Sequence, residues 1–495
     1  MNPTDTQRSG QPRGLFYLTR FAGLVFLVLS LSQAFAQNLL SLAPTGAVAG
    51  LSVADLRNSR YTRGIVADWQ QSGMQRFLQQ QLRAQAAEES DLIGIAAGGL
   101  AAALYSDGFF VVARPDARAM QALRRQAPRN LKPQNGWQVG TEQEAMFGFS
   151  RDLVFVAAPK YGRLFLQNRR GLQAPIQGEI VLWGAVPLEL VRQFNLPPRT
   201  QGAAQTLRRF SYALRLNSSG YTDEMRLEVN PSADPALAAI LLPRNLRPYD
   251  AATLPSGLSV STGVLELNRL GRYLTTLLRE FDIRQNFDLS AFGSRYATVT
   301  VQGPPPAPDG RGENLLGHSL IYWEVSNPGA AEGQLRDLLS QIADFSTPQG
   351  QGGLKDLPGE GDFKAVEVGF GGAIYYKLEP GRIVIATSKA ALGAVNNKPW
   401  SENPAFQRYR DRVPAGALGL TFGDQGDVLR DSARQIGDSL PQTIGGELDT
   451  KTQQELTKAL GDFMTRLGNR FGPSLSYGVV EGNTLISRGI YEVKW

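Results

Sequence analysis

Apolar residues recur along this chain with two periods, and the switch between them happens twice. Residues 42–58 (LAPTGAVAGLSVADLRN) and 254–269 (LPSGLSVSTGVLELNR) both pass from a Leu/Pro-containing turn into an apolar strand, then toward an amphipathic helix. After the second stretch Leu267, Leu270, Leu274, Leu277, Leu278 and Phe281 keep helical spacing; after the first Ile65, Trp69, Phe77, Leu78 and Leu82 keep it more loosely. Residues 91–126 then read as strand, Asp107-Gly108 turn, strand and helix. Their match begins at Asp288 and resumes at His318, with a Pro/Gly-rich loop over 303–317 in place of the tight turn. A hairpin running into a helix over 136–166 is matched over 363–395, residues 179–194 are matched by 417–436, and a closing hairpin over 208–230 is matched by 473–495. Five blocks in one order predict tandem copies of one unit.

Hairpins outnumber crossovers in these blocks. The expected fold class is therefore α+β: two tandem repeated modules, each a largely antiparallel sheet with helices packed on one face. The expected boundaries are 37–230 for the first module, a proline-bearing connector over 231–253, and 254–495 for the second, with the 303–317 loop and an extra helical segment at about 442–467.

Residues 1–36 read as a secretory signal peptide. Arg8, Arg13 and Arg20 precede an apolar run over 21–31, and Ala34-Phe35-Ala36 forms a small-x-small cleavage site. The run is shorter than the roughly 20 apolar residues of a spanning helix, so cleavage is expected and the mature chain should have no transmembrane segment. An extracytoplasmic location follows, in the periplasm or cell envelope. The terminal strand ending in Trp495 also raises an outer-membrane barrel, which the intervening amphipathic helices argue against.

The opening Leu254-Pro255-x-Gly257 turn, strand and helix, the hairpin over 373–388 (AIYYKLEPGRIVIATS), and the spacing from Asn403-Pro404-Ala405-Phe406 to Val413-Pro414-Ala415-Gly416 resemble a family of exported bacterial envelope proteins of unknown function built from tandem Leu-Pro-turn/strand/helix modules. The chain departs from many members in carrying Ser256-Gly257 where an Asp follows the opening turn. The resemblance implies an envelope location and transfers no catalytic residue.

Composition narrows the chemistry. With 495 residues, 42% hydrophobic and 19% charged, the chain is globular in type. It has no cysteine, which removes disulfides, thiolate metal sites and thiol nucleophiles. His318 is the one histidine, preceding a strand at the end of a loop, and reads as a loop or capping residue rather than the base of a triad. Asp424-Gln425-Gly426-Asp427 reads as a turn before a calcium loop. Gly369-Phe370-Gly371-Gly372 lacks dinucleotide-binding spacing and reads as hairpin glycines, so no cofactor is expected. The carboxylate pairs Glu142/Glu144 and Asp223/Glu224 are assigned to hairpin tips.

Charge is unevenly spread. Residues 37–248 carry 24 Lys/Arg against 16 Asp/Glu, and residues 249–495 carry 24 against 28. Within the basic half Arg118, Arg125 and Arg129 share a helical face and form a candidate anion-binding surface for an envelope polymer, a lipid headgroup or an envelope protein. The competing assignment is a solvated helix face. Nucleic acid is excluded by the export signal and the lack of interleaved aromatics. Two functional classes remain: a non-enzymatic envelope scaffold or ligand/lipid-binding module, and an extracytoplasmic carboxylate-dependent hydrolase.

Overall fold

The computed structural model describes residues 39–494 apart from 56–59, 78–93, 95–97, 128–129, 143, 186–196, 284, 305–316, 347–353, 369–371 and 444–449. Residues 1–36, expected to be a signal peptide, the 305–316 stretch and Arg129 therefore lie outside the described residues. Contacts divide the chain into two compact units: Met1–Ala67 with Gln79–Leu182, and Asp68–Leu78 with Trp183–Trp495.

The first unit holds β1 (Ala49–Val53), β2 (Leu100–Tyr105), β3 (Gly108–Ala113), β4 (Lys132–Gln134), β5 (Trp137–Glu142), β6 (Ala145–Phe149), β7 (Val154–Ala157) and the first three residues of β8 (Ile180–Gly184). Their hydrogen-bonded order is β4-β5-β6-β7-β3-β2-β1-β8. Antiparallel pairing predominates, and short turns join β2 to β3, β4 to β5, β5 to β6 and β6 to β7; Ser106-Asp107 closes β2 onto β3, as the Asp-Gly signal requires.

The second unit begins its sheet with the hairpin β9 (Leu207–Leu216) and β10 (Gly220–Val229). It continues with β11 (Ser259–Val264), β12 (Phe292–Thr300), β13 (Ser319–Val325), β14 (Lys355–Glu360), β15 (Phe363–Val368), β16 (Gly372–Glu379), β17 (Arg382–Ala386), β18 (Gly419–Asp424), β19 (Phe471–Glu481) and β20 (Thr484–Val493). The order is β14-β15-β16-β17-β13-β12-β11-β18-β19-β20-β10-β9, all antiparallel. Its first eight positions repeat the order of the first unit, strand for strand. The β9–β10 hairpin extends this second sheet by pairing β10 with β20, Glu224 lying opposite Arg488. Residues 231–253 contain a short helix, Pro235–Leu241, and contribute the buried Ala251 and Ala252 to the core of the same unit.

Helices cover both faces of the second sheet, a correction to the expectation of one. Leu320, Tyr322, Tyr375 and Val384 belong to one core with Trp400, Phe406 and Tyr409. Their strand neighbours Ile374, Tyr376, Ile383 and Ile385 belong to another with Ala331, Leu335 and Leu339. Adjacent strand residues point to opposite faces, so the two cores are separated by the sheet. In the first unit Phe110, Trp137 and Phe155 gather around Phe165 of a helix, Pro159–Leu166, with ring centroids 5.0–5.1 Å from it.

Two helices close the second unit, α1 (Gln425–Thr443) and α2 (Thr450–Arg470). The Asp424–Asp427 stretch opens α1, where the Asp424 carboxylate accepts the Asp427 N–H at 3.1 Å. It is a helix start rather than the expected turn.

Candidate functional site

The basic cluster lies on and beside α3 (Ala117–Gln126) of the first unit. Asp116 caps this helix, accepting the Ala119 N–H at 2.7 Å, and Ala119 and Met120 are buried. That orientation turns Arg118 and Arg125 outward, and both are exposed. Arg124 donates to the Ser150 carbonyl at 2.6 Å and Arg114 pairs with Asp152 at 3.1 Å, so the helix is pinned to the sheet end that carries the β6–β7 turn. Arg129 falls outside the described residues.

The sheet beside this helix has an unusual outer face. Cross-strand pairing puts Leu104 opposite Phe109, Ala102 opposite Val111, Val111 opposite Val156 and Phe147 opposite Val156. These residues share one face, the reverse of the Phe110–Phe155 core. Toward the β6–β7 turn that face is buried at Leu100, Ala113, Phe149 and Val154. Toward the β2–β3 turn it opens: Leu104 is 54% exposed, Val156 39% and Phe109 37%. Phe147 lies flat because Gly140 faces it; a Cβ on Gly140 would come within 2.8 Å of the ring. A half-solvated antiparallel sheet ordinarily places polar residues outward, and here the outward residues are Ala, Leu, Phe and Val.

At the same end Lys160 pairs with Asp107 at 2.7 Å, and Tyr161 donates a short hydrogen bond to the same carboxylate. These two hydrogen bonds hold the Asp107 carboxyl below its ordinary range. Tyr161 stacks on Tyr105, 3.7 Å between centroids. Glu142 and Glu144 flank the β5–β6 turn, as expected.

Among the described residues of the second unit, several titratable groups form closed sets. An open groove of about 480 Å³ is lined by Glu332, Arg336, Asp356, Lys364 and Tyr376. Lys364 donates to both Glu332 oxygens at 2.7 and 2.8 Å, the Tyr376 hydroxyl donates to Glu332 at 3.0 Å, and Arg336 pairs with Asp356 at 2.7 Å. His318 shares a 2.8 Å hydrogen bond between Nδ1 and Ser388 Oγ, while Ser388 Oγ caps a short helix by accepting the Ala391 N–H at 3.1 Å. Burial pushes the imidazole pKa down, which favours the neutral ring.

Asp223 and Glu224 are not in a hairpin tip but in the middle of β10, on opposite faces. Glu224 bridges Arg226 at 2.6 Å and Arg488 at 2.9 Å. Asp223 lies against Gly489, accepting from the Tyr212 and Tyr491 hydroxyls at 3.4 and 3.3 Å. Desolvation raises its pKa. Sequence reasoning reaches only one edge of this face, where the small apolar residues of 93–103 leave room for an apolar ligand; the fuller signal is that LAAALY, GFFVVA and VFVA lack the polar alternation of a one-sided strand.

No family model and no curated protein matches the chain. Among solved structures it is similar to crystal forms III, I and IV of TP0453, with TM-scores of 0.22, 0.20 and 0.22 and identities of 11%, 12% and 12%. The alignments cover 40%, 39% and 41% of this chain and 82%, 80% and 85% of those. At such TM-scores the similarity carries no argument about fold or function. Among the described residues no helix is long and apolar enough to cross a membrane.

Proposed function

We propose that this is a non-enzymatic extracytoplasmic envelope protein, a scaffold or ligand-binding module whose ligand is apolar or lipid-like, and that its two units descend from one duplicated module. The observation that carries the binding role is the open, apolar half-face of the first sheet at Leu104, Phe109 and Val156. Contiguous exposed apolar surface on a folded protein marks an interaction site. The polar clusters support the same reading from the other side. The serine beside the one histidine is held as a helix cap, and the carboxylates of the groove, Glu332, Asp356 and Asp362, are paired with Lys364, Arg336 and Lys377. A hydrolase needs a base whose lone pair is open to substrate or water. The common order of eight strands supports duplication, and the export signal in residues 1–36 supports the location.

The test is recovery of the protein from the envelope of its own cells, with N-terminal sequencing, mass spectrometry of co-purified molecules and a panel of ester, glycoside and peptide substrates. A chain beginning at Gln37, carrying an apolar ligand and turning over none of the substrates, is the expected outcome. Turnover abolished by Glu332→Gln or His318→Ala would overturn the non-enzymatic reading.

A further inference from the structure

The apolar half-face has a counterpart in the second unit, and the comparison between them is informative. Aligning residues 154–157 on 383–386 makes Val156 equivalent to Ile385; through the strand registers Val111 then corresponds to Ile321, Phe109 to Ser319, Leu104 to Thr300 and Ala102 to Thr298. Ile385 is 4% exposed and Ser319 is buried, while Ile321, Thr298 and Thr300 are half-buried, so the second unit covers this region more fully than the first. Where the region is better covered, the residues toward the strand turn are Thr298, Thr300 and Ser319. Where it is open, they are Ala102, Leu104 and Phe109. Solvation alone would produce the opposite assignment. The first unit's face is therefore suited to an apolar partner rather than to water.

Charge selects among apolar occupants. The described residues of the first unit include 12 Lys/Arg and 7 Asp/Glu. Of the acidic groups, Asp107 is held by Lys160, Asp152 by Arg114, and Asp116 serves as a helix cap. Glu142 and Glu144 stand at the β5–β6 turn. On the basic side, α3 presents Arg118 and Arg125 outward. An apolar patch on a basic unit suits an anionic lipid surface, into which the apolar side chains insert while the arginines meet headgroups.

We propose that the first unit docks peripherally on anionic phospholipid bilayers, inserting Leu104, Phe109 and Val156, with Arg118 and Arg125 supplying headgroup attraction. This deepens the lipid-binding reading above and rests on it. The experiment is co-sedimentation of the chain from Gln37 onward with phosphatidylcholine vesicles and with vesicles containing phosphatidylglycerol. Binding should favour the anionic vesicles and weaken as salt shortens the Debye length from about 10 Å at 0.1 M to about 3 Å at 1 M. The pair Arg118→Gln/Arg125→Gln should bind about thirtyfold more weakly. Leu104→Ser/Phe109→Ser/Val156→Ser should lose about tenfold or more, including the part that survives high salt. The single variant Phe109→Ser guards against a triple variant that fails to fold, and melting curves monitor all of them.

Equal binding to neutral and anionic vesicles, no binding at low salt, or variants that bind like the parent would each overturn the docking proposal. So would concentration-dependent dimers abolished by the serine variants, which would assign the face to a second copy of the chain. An apolar ligand found with protein from the envelope, combined with no vesicle binding, would sink the docking proposal and leave the broader ligand-binding role standing.

Discussion

Asp223 shows how far a single residue's behaviour depends on a partner 266 positions away. Its carboxylate lies where a side chain at Gly489 would otherwise sit: a Cβ there would collide with Asp223 Oδ1 and come within 2.6 Å of the Tyr491 ring. Tyr221 stacks on Tyr491 at 4.3 Å beside it. Burial raises the carboxyl pKa above its unfolded value. The folded state thus binds the proton more tightly, which adds stability at acid pH that is lost as pH rises through the folded pKa. Asp223→Asn keeps a carbonyl for the tyrosine hydroxyls and removes the buried charge. It should raise Tm at pH 7 by about 2 °C, and this advantage should shrink as the pH is lowered toward 4. A constant Tm difference across that range would refute the assignment. Gly489→Ala should destabilise by about 1–3 kcal/mol, read by denaturant unfolding; a neutral result would mean that the carboxylate does not occupy this space. None of this was legible in the sequence. Adjacent acidic residues soon after Ser218-Ser219-Gly220 suggest a hairpin tip, whereas the turn falls at Asn217–Ser219 and the strand sends the two carboxylates to opposite faces.

At the scale of elements, the sheet margins and the long helices carry the clearest consequences. The outer strands β4 and β14 each contain a proline, Pro133 and Pro358, together with Lys132, Lys355 and Asp356. A proline offers no N–H to an added strand, so both margins resist edge-to-edge pairing. Pro133→Val/Pro358→Val should aggregate at lower concentration than the parent in light scattering; unchanged solubility would show that charge alone protects the edges. On the inner side, α2 is tied to the chain near residue 70. Arg470 makes a two-point ion pair with Asp68, its Nη2 at 2.9 Å, Arg466 donates to Gln71 at 2.7 Å, and Trp69 meets Phe463 edge-on at 5.3 Å. Asp68 is 4% exposed, while Arg470 retains partial access to water, which moderates the penalty of an orphaned charge. Asp68→Ala should cost about 2 kcal/mol, or about 5 °C in Tm. A Tm within about 1 °C of the parent would remove this pair from the stabilising contacts. The extra helical segment was legible because its apolar positions keep a helical period. The start of α1 at Asp424 was not, since Asp, Gln and Gly serve a turn and a helix cap equally well.

For the whole molecule, the alternation of strand and helix blocks was enough to give the α+β class and the antiparallel sheets. Periodicity is a local signal, and short turns convert it directly into neighbouring strands. The addition of the β9–β10 hairpin to the second sheet was not accessible in this way. It depends on pairing Tyr221 with Tyr491 and Glu224 with Arg488, contacts with no local mark in the sequence. Nor was the second covered face, because Ile383-Val384-Ile385 is equally consistent with one buried side and a tolerant outer one. Duplication remains to be tested at this scale, and its demand is specific. A copied module must bury equivalent faces with equivalent connections, so the eight shared strands of an experimental structure should superpose with residues 154–157 on 383–386, β1 on β11 and β8 on β18. The β9–β10 and β19–β20 hairpins should superpose as well, because their registers agree: Tyr221 faces Leu216 and Leu485 faces Val480, equivalent positions 264 residues apart. Common ancestry further predicts that the differences concentrate where function has diverged, at the open face around Phe109 and its closed counterpart at Ser319. An experimental structure in which the shared strands connect in a different order, or in which the two hairpins differ in register, would reject the duplication.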